Sequence, residues 1–158
     1  MLFGMGHSRF LLAATAGLLL CALSRPSPLS GRDEPTLEEL KGRVANASVA
    51  DRPPLCIHIS ELQLGNADRL YVAGDSEKAQ AALADVVAYS ELARDYAIQS
   101  RKHEKQSEIA IRKMVRKLAD MEHASPHQDQ GSIQSAIERL QRIRDDLQSA
   151  IFSKGDKK

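Results

Sequence analysis

Between Asp75 and Ser125 the chain carries neither glycine nor proline. The stretch is built mostly from Ala, Leu, Glu, Lys, Arg and Gln, residues that give up little side-chain freedom in a helix. One seam runs through it: Ala79, Leu83, Val86, Ser90, Ala93, Ala97, Ser100, Glu104, Ser107, Ile111, Met114, Leu118 and Met121. The spacing alternates four and three without a slip, the pattern of a helix face turned steadily toward a neighbour. It predicts one continuous helix over about 76–123, roughly 70 Å long at 1.5 Å per residue. Ser100, Glu104 and Ser107 thin the seam at its middle. A break there is the alternative, although no breaker residue supports it.

Shorter helices flank this stretch. Thr36-Leu37-Glu38-Glu39 has the form of a capping box, in which a hydroxyl and a carboxylate each satisfy a free backbone N–H. A helix over about 36–48 follows, with Leu37, Leu40, Val44 and Ala47 on one face. Asp51 is placed to cap the next helix, over about 54–73, and Pro53-Pro54 suit a first turn, where no N–H is needed. Leu55, Ile59, Leu62 and Leu70 are its expected stripe. Gly74 closes it, and Asp75 or Ser76 opens the long helix, so the two are antiparallel neighbours. Pro126 ends the long helix, residues 124–131 form a polar loop, and Ser132 caps a last helix over about 133–152. Ile133, Ala136, Ile137, Leu140, Ile143, Leu147, Ala150 and Ile151 make its apolar face. No β-strand alternation is visible. The expected fold class is therefore all-α: an elongated hairpin or bundle around one long central helix, with a partner folded back on each half.

The N-terminus reads as an address. Arg9 is the only charged residue in the first 24, and an uncharged apolar run spans Phe10–Ala22. That run is shorter than the ~20 residues of a membrane span and suits the apolar core of a secretory signal peptide. Ala22-Leu23-Ser24 offers small residues for cleavage after Ser24; an uncleaved anchor, or lipidation at Cys21, is the alternative. Residues 25–35, with Pro26, Pro28, Gly31 and Pro35, read as a flexible leader, and 153–158 as a loose Lys-rich tail. Cleavage would leave one cysteine, Cys56, which has no partner within the chain. In the run Leu55-Cys56-Ile57 it reads as a small buried hydrophobe, with an intermolecular disulfide as the sharper alternative. Asn46-Ala47-Ser48 is a glycosylation sequon, of consequence only in a eukaryotic secretory pathway.

Over 158 residues, 22 basic and 21 acidic groups nearly cancel, which excludes nucleic-acid binding by bulk charge. The charge is nonetheless unevenly placed. Residues 33–95 hold six basic and twelve acidic groups, whereas 101–117 hold seven basic and two acidic. On a helix, Arg101, Lys105, Arg112 and Arg116 line one side, with Lys102, Lys113 and Lys117 beside them and Ile111, Met114, Leu118 and Met121 opposite. This is a basic amphipathic helix. It is either a solvated outer face or a contact surface for an anionic partner: an acidic protein, or lipid headgroups.

Chemistry-bearing motifs are sparse. There is no Gly-rich phosphate loop, no Cys pair and no nucleophile elbow. Asp120, His123 and His127 come nearest to a metal set, but Pro126 breaks their register, so the histidines are expected in solvent and no metal, cofactor or catalytic residue is assigned. His58, between Ile57 and Ile59, is expected half-buried with a bonded ring nitrogen. Tyr89 and Tyr96, one heptad apart, are expected under a neighbouring helix with their hydroxyls at the rim.

The segment Tyr71-Val-Ala-Gly74-Asp75-Ser-Glu-Lys-Ala79-Gln-Ala-Ala-Leu83 resembles the turn and second-helix start of a tetratricopeptide-type hairpin. Gly74, Ala79 and Leu83 match its packing positions, while Asn66-Ala67 replaces its Leu-Gly and no proline follows. The resemblance spans about one repeat, and three are usually needed for a stable array. It implies a local hairpin only. Over Ala84–Ser100 and Ile109–Leu118 the chain is also similar to uncharacterised exported helical proteins of bacteria, which implies export and helix and supplies no activity.

These readings converge on an exported, periplasmic or extracellular, non-enzymatic scaffold or protein-interaction module. A peripheral binder of anionic membrane is the alternative. A homodimer is also expected, because the middle of a continuous long helix would lack a partner within the chain.

Overall fold

The computed structural model describes residues 35–153. The proposed signal peptide, Cys21, nearly all of the leader and residues 154–158 of the tail lie outside them. The described residues form five α-helices: α1 Leu37–Asn46, α2 Arg52–Val72, α3 Ser76–Ser100, α4 Glu104–Ala124 and α5 His127–Phe152. No strand occurs among them.

Local chemistry sets most of the boundaries. The capping box forms as expected: the Glu39 N–H donates to Thr36 Oγ1 at 3.3 Å, and the Thr36 N–H to Glu39 Oε2 at 2.8 Å. Arg52, Pro53 and Pro54 make the first turn of α2; Asp51 holds the cap position, but contrary to expectation its side chain makes no capping bond and accepts instead from the Ser48 hydroxyl at 2.6 Å. The α2–α3 turn satisfies the end of α2 through two bonds. The Gly74 N–H donates to the Tyr71 carbonyl and the Asp75 N–H to the Leu70 carbonyl, the paired pattern that a left-handed residue permits. Gly74 is that residue, at φ +79°. Asp75 then caps α3 by accepting from the Lys78 backbone. The Lys78 ammonium, 2.6 Å away, holds the Asp75 carboxyl below its usual range.

The long helix is not continuous. It ends at Ser100 and restarts at Glu104. Arg101 (φ 56°) and His103 (φ 62°) both adopt the left-handed conformation, which costs a non-glycine residue roughly 1–2 kcal/mol. The chain reverses there. Asp68 of α2 pairs with Lys117 of α4, and α2 and α4 also meet at their N-terminal ends, so these two helices are parallel. Glu91 and Arg94 of α3 pair with Arg139 and Asp146 of α5, so α3 and α5 are parallel as well. The result is an up-down-up-down bundle of two hairpins, α2–α3 and α4–α5, with α3 against α5, α2 against α4, and α1 on α2. A straight spine would leave its middle uncovered. Folding back encloses Glu104, Ser107 and Glu108, which are buried, and brings Ile111, Met114, Leu118 and Met121 into the apolar core; that apolar burial offsets the strain of the turn.

The seam itself survives the break. Every position from Ala79 to Met121 is buried except Ser100, which is half-buried. Both halves feed one core cluster with Ile133, Ala136, Ile137, Leu140, Ile143 and Leu147 of α5.

Two further boundaries differ from expectation. α5 starts at His127, six residues before the expected Ile133, so residues 127–131 are helix and only Ser125-Pro126 separates it from α4. Gly131 lies inside this helix, and Asp129 is buried in its first turn, where a carboxylate meets the positive end of the helix dipole. The Ser132 hydroxyl, expected to cap, instead bonds the Asp129 carbonyl at 2.8 Å and meets the Tyr71 hydroxyl at 2.9 Å. The stripe expected on α2 is also displaced. Ile59 is buried, but Leu55, Leu62 and Leu70 are only half-buried. The buried set is Cys56, Ile57, Ile59, Ser60, Gln63, Leu64 and Ala67 together with Pro53, because α2 is wrapped by α1, α3 and α4 and no single stripe serves three neighbours.

Candidate functional site

The outer face of α4 carries the charge. Its core face is fixed by Ser107, Ile111, Met114, Leu118 and Met121; at 100° per residue, Lys105, Arg112 and Arg116 fall on the opposite side, with Lys113 flanking them. All of these basic residues are exposed, as are Arg101, Lys102 and Lys117. From Lys105 to Arg116 the row spans roughly 17 Å of helix.

Its partners are few. Lys117 reaches Asp68 at 3.2 Å, and Arg112 lies 3.9 Å from Glu108. Lys102, Lys105, Lys113 and Arg116 form no ion pair with a described residue. The two acids of residues 101–117, Glu104 and Glu108, are buried at 6% and 7% exposure. The Glu108 carboxylate also accepts from the Gln148 amide of α5 at 3.2 Å. Positive charge therefore faces solvent along α4 while the negative charge of the same segment is turned inward. Ile109, half-buried, is the apolar residue among these cations.

The structure corrects the expected extent of this face. Arg101 and Lys102 do not continue the row on one helix. They sit in the reversal beyond the N-terminal end of α4, where they widen the basic region at that end of the bundle.

His123 and His127 are exposed, and the His127 ring meets the Gln130 side chain at 3.2 Å. Among the described residues no group of three or more His, Cys, Asp or Glu is placed to hold a metal ion. His58 is half-buried, in a groove of about 140 Å³ shared by Pro54, Ile57, Glu61, His103, Gln106 and Ser107. Its ring makes no hydrogen bond to a described residue, contrary to expectation, because the groove opens to solvent. Tyr89 and Tyr96 are half-buried against the core as expected, and the Arg52 guanidinium lies 5.0 Å from the Tyr96 ring centre, within reach of a cation–π contact. Sequence reasoning missed Tyr71, whose link to Ser132 pins α2 to the start of α5. Its only signal in the sequence is a tyrosine three residues before Gly74, a position that an ordinary turn explains equally well.

Cys56 is fully buried and free, and burial pushes its thiol up to about 11. A thiol so held stays protonated at neutral pH and is a poor nucleophile.

No protein-family model matches the chain, and no curated protein or solved structure matches it either. Among the described residues no helix is long and apolar enough to cross a membrane.

Proposed function

We propose that this protein is an exported helical interaction module, without catalytic activity, that binds an acidic protein surface through the outer face of α4. The observation that carries the reading is the sorting of charge on that helix. Lys105, Lys113 and Arg116 face solvent without an ion pair to a described residue, while Glu104 and Glu108 of the same helix are buried. Such a face steers an anionic partner and orients it on a rigid support.

An acidic protein is favoured over a membrane surface by the use already made of α4's apolar side. Helices that lie in a membrane bury that side among the acyl chains. Here Ile111, Met114, Leu118 and Met121 are committed to the bundle core, so lipid could be held by charge alone. Export rests on the pattern of residues 1–24, and N-terminal sequencing of the secreted chain tests it: a chain that still begins at Met1 removes it.

The binding test is calorimetry with a polyglutamate peptide, run beside vesicles with and without anionic lipid. The expected result is peptide binding that weakens with salt, since the Debye length shrinks to about 8 Å at physiological ionic strength. The triple variant K105E/R112E/R116E should lose it. Binding to anionic vesicles without binding to the peptide transfers the face to the lipid reading. Peptide binding that survives the triple variant rejects the face altogether.

A further inference from the structure

We propose that the Arg101–His103 turn is a hinge through which two copies of this chain exchange their α4–α5 hairpins, with α3 and α4 of each copy straightening into one helix. The partner is a second copy of the same chain, and four observations select it.

The first is register. The seam passes through the turn as Ala97, Ser100, Glu104, Ser107, with the same three–four–three spacing as on either side. A straight helix therefore presents both halves on one face with no residue added or removed. The second is strain. Neither glycine nor proline is present, yet two residues are held left-handed. Both can relax to right-handed helix in the straight form, and each then biases the equilibrium by roughly tenfold per chain. Third, each hairpin is closed by its own turn, at Gly74-Asp75 and at Ser125-Pro126. The hairpins are thus joined by three residues only, and short strained hinges invite exchange.

The fourth observation is that the bonds between hairpins transfer unchanged. Arg139 to Glu91, Arg94 to Asp146, Lys117 to Asp68 and Tyr71 to Ser132 all join one hairpin to the other. In the exchanged dimer each forms between chains with the same geometry. The two forms differ chiefly at the hinge, so relief of strain there is set against the entropy of bringing two chains together. Closed monomer is the form in dilute solution, and dimer grows with concentration during refolding.

The test uses the full chain, refolded at millimolar and at micromolar concentration and sized by light scattering. Spin labels at positions 80 and 123, on exposed Gln80 and His123, report the path of the chain when labelled protein is diluted into unlabelled protein. In the closed monomer both labels lie at one end of the bundle. In the exchanged dimer they are separated along one helix by roughly 65 Å. The expected result is a dimer fraction, formed at high concentration, that shows the long distance. The variant R101G/H103G removes the strain and weakens the straight helix, so its dimer fraction should fall at least about tenfold. Monomer at every concentration overturns the proposal. So does a dimer that keeps the short distance, or one that R101G/H103G leaves unchanged. None of these outcomes depends on whether the basic face binds an acidic partner.

Discussion

The hydroxyls of Ser60 on α2 and Ser90 on α3 lie 3.2 Å apart, and both residues are fully buried. They share an acceptor: the Val86 carbonyl lies 3.1 Å from the Ser60 hydroxyl and 2.7 Å from the Ser90 hydroxyl. This polar stitch lies in the largest helix–helix contact of the bundle, among Cys56, Val86 and Ala93. Small side chains let the helices approach, and the Val86 and Cys56 carbonyls keep the two hydroxyls from being orphaned.

The stitch yields a mutational prediction. Ser60→Ala removes a hydroxyl that reaches the Cys56 and Val86 carbonyls, and Ser90→Ala one that reaches the Val86 carbonyl and Ser60 Oγ; each should cost about 1 kcal/mol. The double variant should cost less than the sum, because the contact between the two hydroxyls is lost in each single variant but only once in the double. Ser60→Leu should cost roughly 1–3 kcal/mol by overpacking the contact. Urea midpoints at constant slope measure all four. Strict additivity of the two alanine changes would show that the hydroxyls act independently.

Two glycines should respond to alanine with opposite signs. At neither position would an added Cβ meet another atom within 4 Å, so the backbone decides. Gly74 is left-handed at φ +79°, and Gly74→Ala should cost about 1 kcal/mol, with Gly74→Asn milder. Gly131 lies inside α5, and Gly131→Ala should stabilise by about 0.5–1 kcal/mol. Thermal midpoints moving in opposite directions are the expected readout. A fall at both positions would place Gly131 outside the helix.

Those glycines also mark how far the fold could be read from the sequence. Gly74 was legible because its neighbours agreed: an apolar helix before it and a capping aspartate after it. Gly131 was not legible, because a glycine in a polar stretch has the composition of a loop, and what keeps it helical is distant in sequence. That support is Tyr71 of α2, whose hydroxyl meets that of Ser132. The same holds at Arg101 and His103, where helix formers were driven left-handed by the packing of α4 onto α5 and α2. Periodicity reports which face is buried, and it did so from Ala79 to Met121. It carries no information on whether the neighbour is reached by running straight or by turning back. The basic face was legible on α4 itself, since exposure follows directly from the core face opposite. Its end at Arg101 and Lys102 was not, because it depended on the unseen reversal.

The buried thiol supplies a pH prediction. Cys56 packs within α2 with none of its surface exposed, and burial raises it from an ordinary 9.0 to about 11, an effect that Arg52 one turn earlier offsets in part. The unfolded chain gives up this proton near 9, while the folded chain keeps it until about 11. The contribution of Cys56 is therefore fully present below about pH 9 and is lost as the pH rises toward 11. In a background where Cys21, outside the described residues, is changed to Ser, the urea midpoint should hold to about pH 9 and then fall. Cys56→Ala should sit lower at neutral pH, by about 1 kcal/mol for the lost sulfur contacts, and should show a shallower alkaline fall. The same background tests access to the thiol. A disulfide reagent at pH 8 should leave Cys56 untouched in the folded chain and modify it fully in denaturant, because attack requires both an exposed sulfur and a thiolate. Rapid labelling of the folded protein would mean that α2 lifts from α3 far more often than a closed bundle allows.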